Sequence, residues 1–174
     1  MAGRVTGKVA IVVGGGQTPG ETIGNGRATA LVLAREGATV VVADRDKQSA
    51  QDTVDRIVGE KGEAVAEQVD ATDEKSVHAL ITRTAKKYGS LDLLHNNVGA
   101  SLALGDAVAV DMTEDAFDRS FAVNLKTQWM ACKHAIPIMR EQGSGSIVNI
   151  TSISAELGAP DNPAYAAAKG ALKQ

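Results

Sequence analysis

Residues 8–44 read KVAIVVGGGQTPGETIGNGRATALVLAREGATVVVAD, and this stretch decides the fold. Its two apolar runs, Val9–Val13 and Thr39–Ala43, predict buried strands. The loop after the first run is rich in glycine: Gly14, Gly15, Gly16, Gly20, Gly24 and Gly26. A helical pattern follows, and its predicted buried face consists of Ala28, Leu31, Val32 and Ala34. Gly37 ends the helix and Asp44 ends the second strand.

Strand, glycine loop, helix, strand and acid in this order are typical of a dinucleotide-binding βαβ unit. Glycines let the backbone approach a pyrophosphate, and the free N–H groups of a helix N-terminus favour its charge. Asp44 lies 18 residues after Gly26, close to the offset of about 20 at which an acid binds a ribose 2′-hydroxyl. Asp44 would repel a 2′-phosphate, so NAD is favoured over NADP, although Arg45 could accept one. A tight turn without any ligand is the alternative interpretation.

Composition limits the protein class. The chain has 174 residues, 44% of them hydrophobic and 22% charged, with a net charge of −3. These values fit one ordinary α/β domain, residues 1–174, and argue against a nucleic-acid or membrane surface. Cys132 is the single cysteine, which favours a reducing compartment. Neither a signal peptide nor an apolar run of about 18 residues is seen, so we expect a cytoplasmic protein.

Strand and helix patterns alternate along the remaining chain. Further strands are predicted at 63–69, 91–95 and 146–150, and helices at 46–61, 72–87, 113–142 and from 162 onward. Thr72 and Thr113 are the predicted caps of the third and fourth helices, and the second helix should bury Ala50, Val54, Ile57 and Val58. This alternation predicts a doubly wound parallel sheet in a three-layer α/β/α Rossmann fold. The last helix is still running at Gln174, so the sequence looks cut short.

A second cluster of polar residues indicates chemistry. Tyr165 and Lys169 are four residues apart on the last helix and therefore share one face. A phenol is a poor base at neutral pH, but a neighbouring ammonium favours the phenolate and makes the group usable for general acid–base catalysis. Ser152 follows the end of a strand, where open α/β sheets place ligands. A solvated helix face is the alternative for the Tyr–Lys pair alone.

Taken together, these residues resemble the short-chain dehydrogenase/reductase family of the classical type. The resemblance is carried by the glycine loop, by 96–99 (Asn-Asn-Val-Gly), by Asn124, and by Ser152 with Tyr165 and Lys169. It covers essentially the whole chain, and it implies that the C-terminal strands of the family are lacking. The family's glycine loop is also interrupted here by six extra residues, which leaves individual phosphate contacts open.

The resemblance implies a role for each matching residue. Tyr165 would be the general acid or base, Lys169 would hold the nicotinamide ribose, Ser152 would orient the substrate oxygen, and Asn124 would position a water. The implied cofactor-binding residues are Gly14, Gly24, Gly26, Asp44, Asp70, Ala71, Asn97, Tyr165 and Lys169. The implied reaction interconverts a secondary alcohol and a ketone with NAD(H), in a protein that is a homo-oligomer at full length. A dinucleotide-binding module without turnover is the alternative function.

For the histidines and Trp129, we expect roles in packing and not in catalysis. His95 is expected to be a buried, hydrogen-bonded histidine, and His78 and His134 to be surface or packing residues. None of them has a partner at metal-ligand spacing, so no metal site is predicted. Trp129 is expected in the core or in a subunit interface.

Overall fold

The computed structural model describes residues 3–158 and 160–174. Within these residues, five strands form one parallel sheet in the order β3-β2-β1-β4-β5. Their bounds are Val9–Val13 (β1), Thr39–Asp44 (β2), Glu63–Gln68 (β3), Leu93–Asn96 (β4) and Ser146–Asn149 (β5). The helices are Asn25–Arg35 (α1), Lys47–Gly59 (α2), Glu74–Tyr88 (α3), Glu114–Phe121 (α4), Thr127–Glu141 (α5) and Pro163–Ala171 (α6).

The two faces of β1 explain the three layers. All five residues of β1 are buried because the strand lies in the middle of the sheet. Ile11 and Val13 pack in the cluster that contains α3 and α5 residues, whereas Ala10 and Val12 pack with residues of α1 and α2. Alternate side chains of a strand point to opposite faces, so one apolar run anchors both helical layers. The predicted doubly wound α/β fold is confirmed.

Some predicted details of the helices are wrong. Val32 and Val58 were expected to be buried, but they are 43% and 55% exposed. The buried stripe of α2 consists of Ala50, Thr53, Val54 and Ile57. Successive side chains of an α-helix point about 100° apart around its axis. Val58 therefore lies beyond the edge of this stripe, and Val32 likewise lies beyond the edge of the buried stripe of α1.

Two helix ends also differ from the prediction. Thr72 does not cap α3, because its hydroxyl donates to Asp70 in the preceding turn. Asp73 is the cap, and its side chain accepts from the backbone N–H of Lys75. The last helix was predicted to continue at Gln174, but α6 ends at Ala171.

Trp129 is 53% exposed, so its prediction as a core residue is wrong and the interface role stays a prediction.

Candidate active site

A cleft opens at the carboxyl edge of the sheet, where the chain order reverses. Val13 at the end of β1 pairs with Asn96 at the end of β4. From this pair the sheet continues through β2 and β3 on one side and through β5 on the other. Open α/β sheets place their ligands in the crevice at such a point. The cleft has a volume of about 540 Å³, and its walls are Asn25, Asn97, Gly99, Ala100, Ser101, Ile150, Thr151, Ser152, Tyr165 and Lys169.

The glycine loop is folded tightly between β1 and α1. Gly14 has a φ of 78°, which glycine adopts without strain, and its N–H donates to the carbonyl of Ala43 at 2.8 Å. A Cβ atom on Gly26 would lie only 1.9 Å from the carbonyl oxygen of Gly14. Asn97 donates from Nδ2 to the same oxygen at 3.1 Å. The start of α1, the loop and the end of β4 are therefore in close contact.

The six extra residues of this loop are held by a single side chain. Gln17 accepts from the N–H of Gly24 at 2.7 Å and donates to the carbonyls of Thr18 and Thr22 at 2.7 and 3.0 Å. The N–H of Gln17 itself donates to Ser49 Oγ on α2. The side-chain amide therefore closes the insertion on itself, so that Gly24 and Gly26 directly precede or begin α1.

The two predicted acidic contacts lie beyond the cleft walls. Asp44 ends β2, and its Oδ2 accepts from the N–H of Gly16 at 2.9 Å, which brings the carboxylate against the glycine loop. Asp70 follows β3 and accepts two hydrogen bonds from Thr72. These bonds hold the pKa of Asp70 below its ordinary value. The neighbouring Ala71 is buried in the core.

Ser152, Tyr165 and Lys169 meet in the cleft, although Ser152 and Lys169 are 17 residues apart in sequence. Lys169 is only 2% exposed, and its Nζ donates to the carbonyl of Ile150 at 2.8 Å and lies 5.8 Å from the centre of the Tyr165 ring. Burial lowers the pKa of Lys169 to about 8. Ser152 accepts at Oγ from the N–H of Ser154, which fixes the hydroxyl at the start of a short helical turn.

Asn124 lies behind the cleft wall and is fully buried. A π-helical turn, Ala122–Lys126, contains it and separates α4 from α5, where the sequence predicts one continuous helix. Its side chain accepts from the N–H of Ala100 at 3.0 Å and donates to the carbonyl of the same residue at 2.7 Å. π turns are frequent at functional sites. A Cβ atom on Gly99 would lie 3.0 Å from both Asn124 Oδ1 and Lys169 Nζ, so glycine allows both groups to approach this loop.

One buried residue near the site was not predicted. Asp106 in the loop before α4 is 6% exposed and accepts hydrogen bonds from the backbone of α6. The sequence offers only a weak signal for it, namely an acid within a loop of small and apolar residues.

The histidines lie away from the cleft walls. His95 is buried, as predicted, with Nε2 at 3.3 Å from Thr29 Oγ1, and burial lowers its pKa. His134 approaches Glu74 at 3.1 Å and packs against the ring of His78. Within residues 3–158 and 160–174, no three His, Cys, Asp or Glu side chains are grouped so that they could hold a metal ion. Over the same part of the chain, no helix is long and apolar enough to span a bilayer.

The comparisons with known proteins agree on one family. The family model described as "short chain dehydrogenase" matches residues 8–174. The uncharacterized oxidoreductase YxbG of Bacillus subtilis is 36% identical over 98% of this chain, which covers 59% of that relative. The 3-oxoacyl-[acyl-carrier-protein] reductase FabG of Thermotoga maritima is 33% identical over 97% of this chain and 65% of its own length. A crystal structure from Burkholderia xenovorans, assigned to the short-chain dehydrogenases/reductases, superposes with a TM-score of 0.94 at 38% identity, covering 99% of this chain and 67% of that one.

Proposed function

The chain belongs to the short-chain dehydrogenase family, and on this premise we propose that it interconverts a secondary alcohol and a ketone with NAD(H). One observation carries the proposal: Ser152, Tyr165 and Lys169 line a single cleft together with Asn97 and Gly99, beside the glycine loop. The close contact of Gly14 with Gly26 also fits a dinucleotide, because it leaves the backbone free of side chains where a pyrophosphate would approach. The chain spans 59% and 65% of the length of the two curated relatives, and its activity is part of this proposal.

In this proposal the chain's own residues move the proton and orient the substrate. NAD(H), when bound, supplies or accepts the hydride. Tyr165 exchanges the proton of the substrate oxygen, and Ser152 donates a hydrogen bond to that oxygen and orients it. Lys169 contributes a positive charge beside the phenol, which favours the phenolate, and holds the ribose next to the nicotinamide. Asn124 fixes the loop at Ala100 and positions a water that links Lys169 to solvent.

We propose the remaining cofactor contacts on the same basis. Gly14, Gly24 and Gly26 admit the phosphates, and Asn97 supports the loop through its bond to the Gly14 carbonyl. Asp70 and Ala71 follow β3 and would contact the adenine, as the family resemblance implies. The position of the Asp44 carboxylate against the N–H of Gly16 supports NAD over NADP, because a 2′-phosphate would meet a negative charge there.

The substrate and the assembly are also proposals. The residues that line the cleft include Ala100 and Ile150, and these two suit a substrate with an apolar group beside its hydroxyl. FabG, by its name, reduces a 3-oxoacyl group, and this ketone supports a carbonyl substrate here. Phe117 and Trp129 on α4 and α5 are 44% and 53% exposed. These exposed aromatic side chains support a homo-oligomer that uses α4 and α5, and the function is expected in the cytoplasm.

The test compares two tyrosine variants. With NAD⁺ and cyclohexanol or a 2-alkanol, the protein should produce NADH, measured by absorbance. Tyr165→Phe removes the proposed proton-transfer group and should lower kcat by about 10²- to 10⁴-fold, while NADH still binds. Tyr88→Phe is the control, because it removes the other tyrosine hydroxyl of the chain, on α3, and should leave kcat unchanged. NADH binding without turnover across a panel of alcohols and ketones would favour the alternative, a binding module.

A further inference from the structure

The N-terminus of α6 is capped from a distant part of the chain. Asp106 Oδ2 accepts from the backbone N–H of Tyr165 at 2.8 Å, and Oδ1 accepts from that of Ala164 at 3.3 Å. The residue directly before the helix, Asn162, makes no side-chain cap bond. Gly105, with a φ of 87°, makes the turn that precedes Asp106. A carboxylate 58 residues upstream of Ala164 therefore caps this helix, a role that the residue directly before a helix usually has.

Burial makes this contact strong and specific. Asp106 is 6% exposed, and within the described part of the chain no Lys, Arg or His side chain forms an ion pair with it. A buried carboxylate is stable only when hydrogen bonds or charges compensate it. Here the compensation comes from two backbone donors and the positive end of the helix dipole. Charge-assisted bonds of this kind are roughly twice as strong as neutral ones.

We infer that Asp106 is a positioning residue, which holds the first turn of α6, and with it Tyr165, against the loop that borders the cleft. The inference rests on the proposed function, since it assigns a purpose to holding Tyr165. The contact is specific to the proposed chemistry. Asp106 Oδ2 accepts its hydrogen bond from the backbone N–H of Tyr165, the residue whose phenol would exchange the proton. The loop containing Asp106 also contains the cleft residues Ala100 and Ser101, so the contact fixes two walls of the cleft relative to each other.

Two variants of Asp106 test the inference. Asp106→Asn leaves one oxygen acceptor and turns an NH₂ group toward the second N–H. It should lower kcat about 10-fold or more through misplacement of the phenol, with KM for the alcohol and Kd for NADH within about twofold. Asp106→Glu keeps the carboxylate one methylene away and should give an intermediate kcat. Asp73→Asn is the matched control, because it weakens the cap of α3 in the same way and should leave kcat unchanged.

The measurements are made well below the melting temperature of each variant, and circular dichroism checks that it is folded. A wild-type kcat in Asp106→Asn would overturn the inference. If Asp106→Asn does not fold, the kcat of Asp106→Glu decides: a reduced value supports the inference and a wild-type value overturns it. If the wild-type protein binds NADH but shows no turnover, the proposed function fails alone. Hydrogen exchange at the Ala164 and Tyr165 amides then decides the role of Asp106, with faster exchange in Asp106→Asn supporting it and unchanged exchange overturning it.

Discussion

The two ends of the cleft are held by different means. At the glycine loop, the backbone of Gly26 fits against the carbonyl of Gly14 because Gly26 has no side chain. At the other end, Asn124, Lys169 and Asp106 are buried polar side chains that bridge separate segments. The first end depends on space and the second on hydrogen bonds in a low-dielectric surrounding. They should therefore respond differently to mutation and to pH.

Gly26→Ala should have the largest effect, and it tests the role of space at the glycine loop. The new Cβ would lie 1.9 Å from a backbone oxygen, so α1 or β1 must shift. We expect the free energy of unfolding to fall by about 3 kcal/mol or more, measured by urea denaturation. Gly59→Ala on α2 is the control, because its Cβ would meet no atom within 4 Å, and it should be neutral or slightly stabilising. Equal stability of the two variants would contradict the tight fit.

Lys169→Met tests the low-dielectric surrounding through pH. The pKa of Lys169 lies near 8 in the folded protein and 10.5 is its ordinary value. Between these values the folded state binds fewer protons than the unfolded state, so the free energy of unfolding rises with pH. Below pH 8 both states carry the charge, and the folded state bears the full cost of its burial. Relative to Lys169→Met, wild-type stability should rise from pH 8 to 10.5 by at most about 3 kcal/mol.

This pH comparison uses denaturant melts of the ligand-free protein at several pH values. Lys173→Met is the control, since Lys173 is exposed and its variant should follow the wild-type curve. Parallel curves for wild type and Lys169→Met would show that the ammonium is not desolvated.

Asn124→Ala tests how far the Tyr165 end of the cleft depends on buried hydrogen bonds. The substitution leaves both backbone groups of Ala100 without the partner that Asn124 provides. We expect a loss of about 2 kcal/mol of unfolding free energy and faster exchange of the Ala100 amide. A loss below about 0.5 kcal/mol would mean that water replaces the side chain without cost, and that this end is less dependent on buried bonds than we infer.

Gln17→Ala should have the smallest effect and sharpens the description of the loop. Gln17 is half-buried, and its bonds to Thr18, Thr22 and Gly24 are all local. Stability should fall by less than about 1 kcal/mol, while the amide of Gly24 exchanges faster. Gln48→Ala, on the exposed side of α2, is the control and should leave that amide unchanged. Unchanged exchange in Gln17→Ala would show that the insertion is held by other contacts.

The same difference explains what the sequence could predict. The strand Val9–Val13, the glycine loop and Asp44 follow local rules of periodicity and backbone conformation, and the structure has each of them where the pattern indicates. The pairing of Tyr165 with Lys169 follows from helical spacing, which is also local. These short-range patterns predict the fold and single out Ser152, Tyr165 and Lys169, which the structure brings into one cleft. Asn97 and Asn124 are implied only by the family resemblance.

Features that depend on distant contacts were not predicted. Asp106 meets the N-terminus of α6 across 58 residues, and no periodicity in its loop indicates such a contact. The sequence predicts regular helix where the structure has the π turn Ala122–Lys126, because a one-residue change of helical register leaves no composition signal. The sequence also predicts a buried Val58, which is exposed, because an apolar residue type does not reveal how wide the buried stripe of a helix is. In each case packing between elements, not local preference, decides the outcome.

The π turn has a consequence for insertions and deletions in this helical segment. Because an α-helix advances about 100° per residue, removing one residue between Ala122 and Lys126 could restore regular winding. It would also rotate everything after that point by about the same angle relative to α4. Either Met130 and Ala135 would then turn out of the core, or the carboxamide of Asn124 would swing away from Ala100. The length of this turn is thus constrained from both sides, and point substitutions should be tolerated there far better than changes of length.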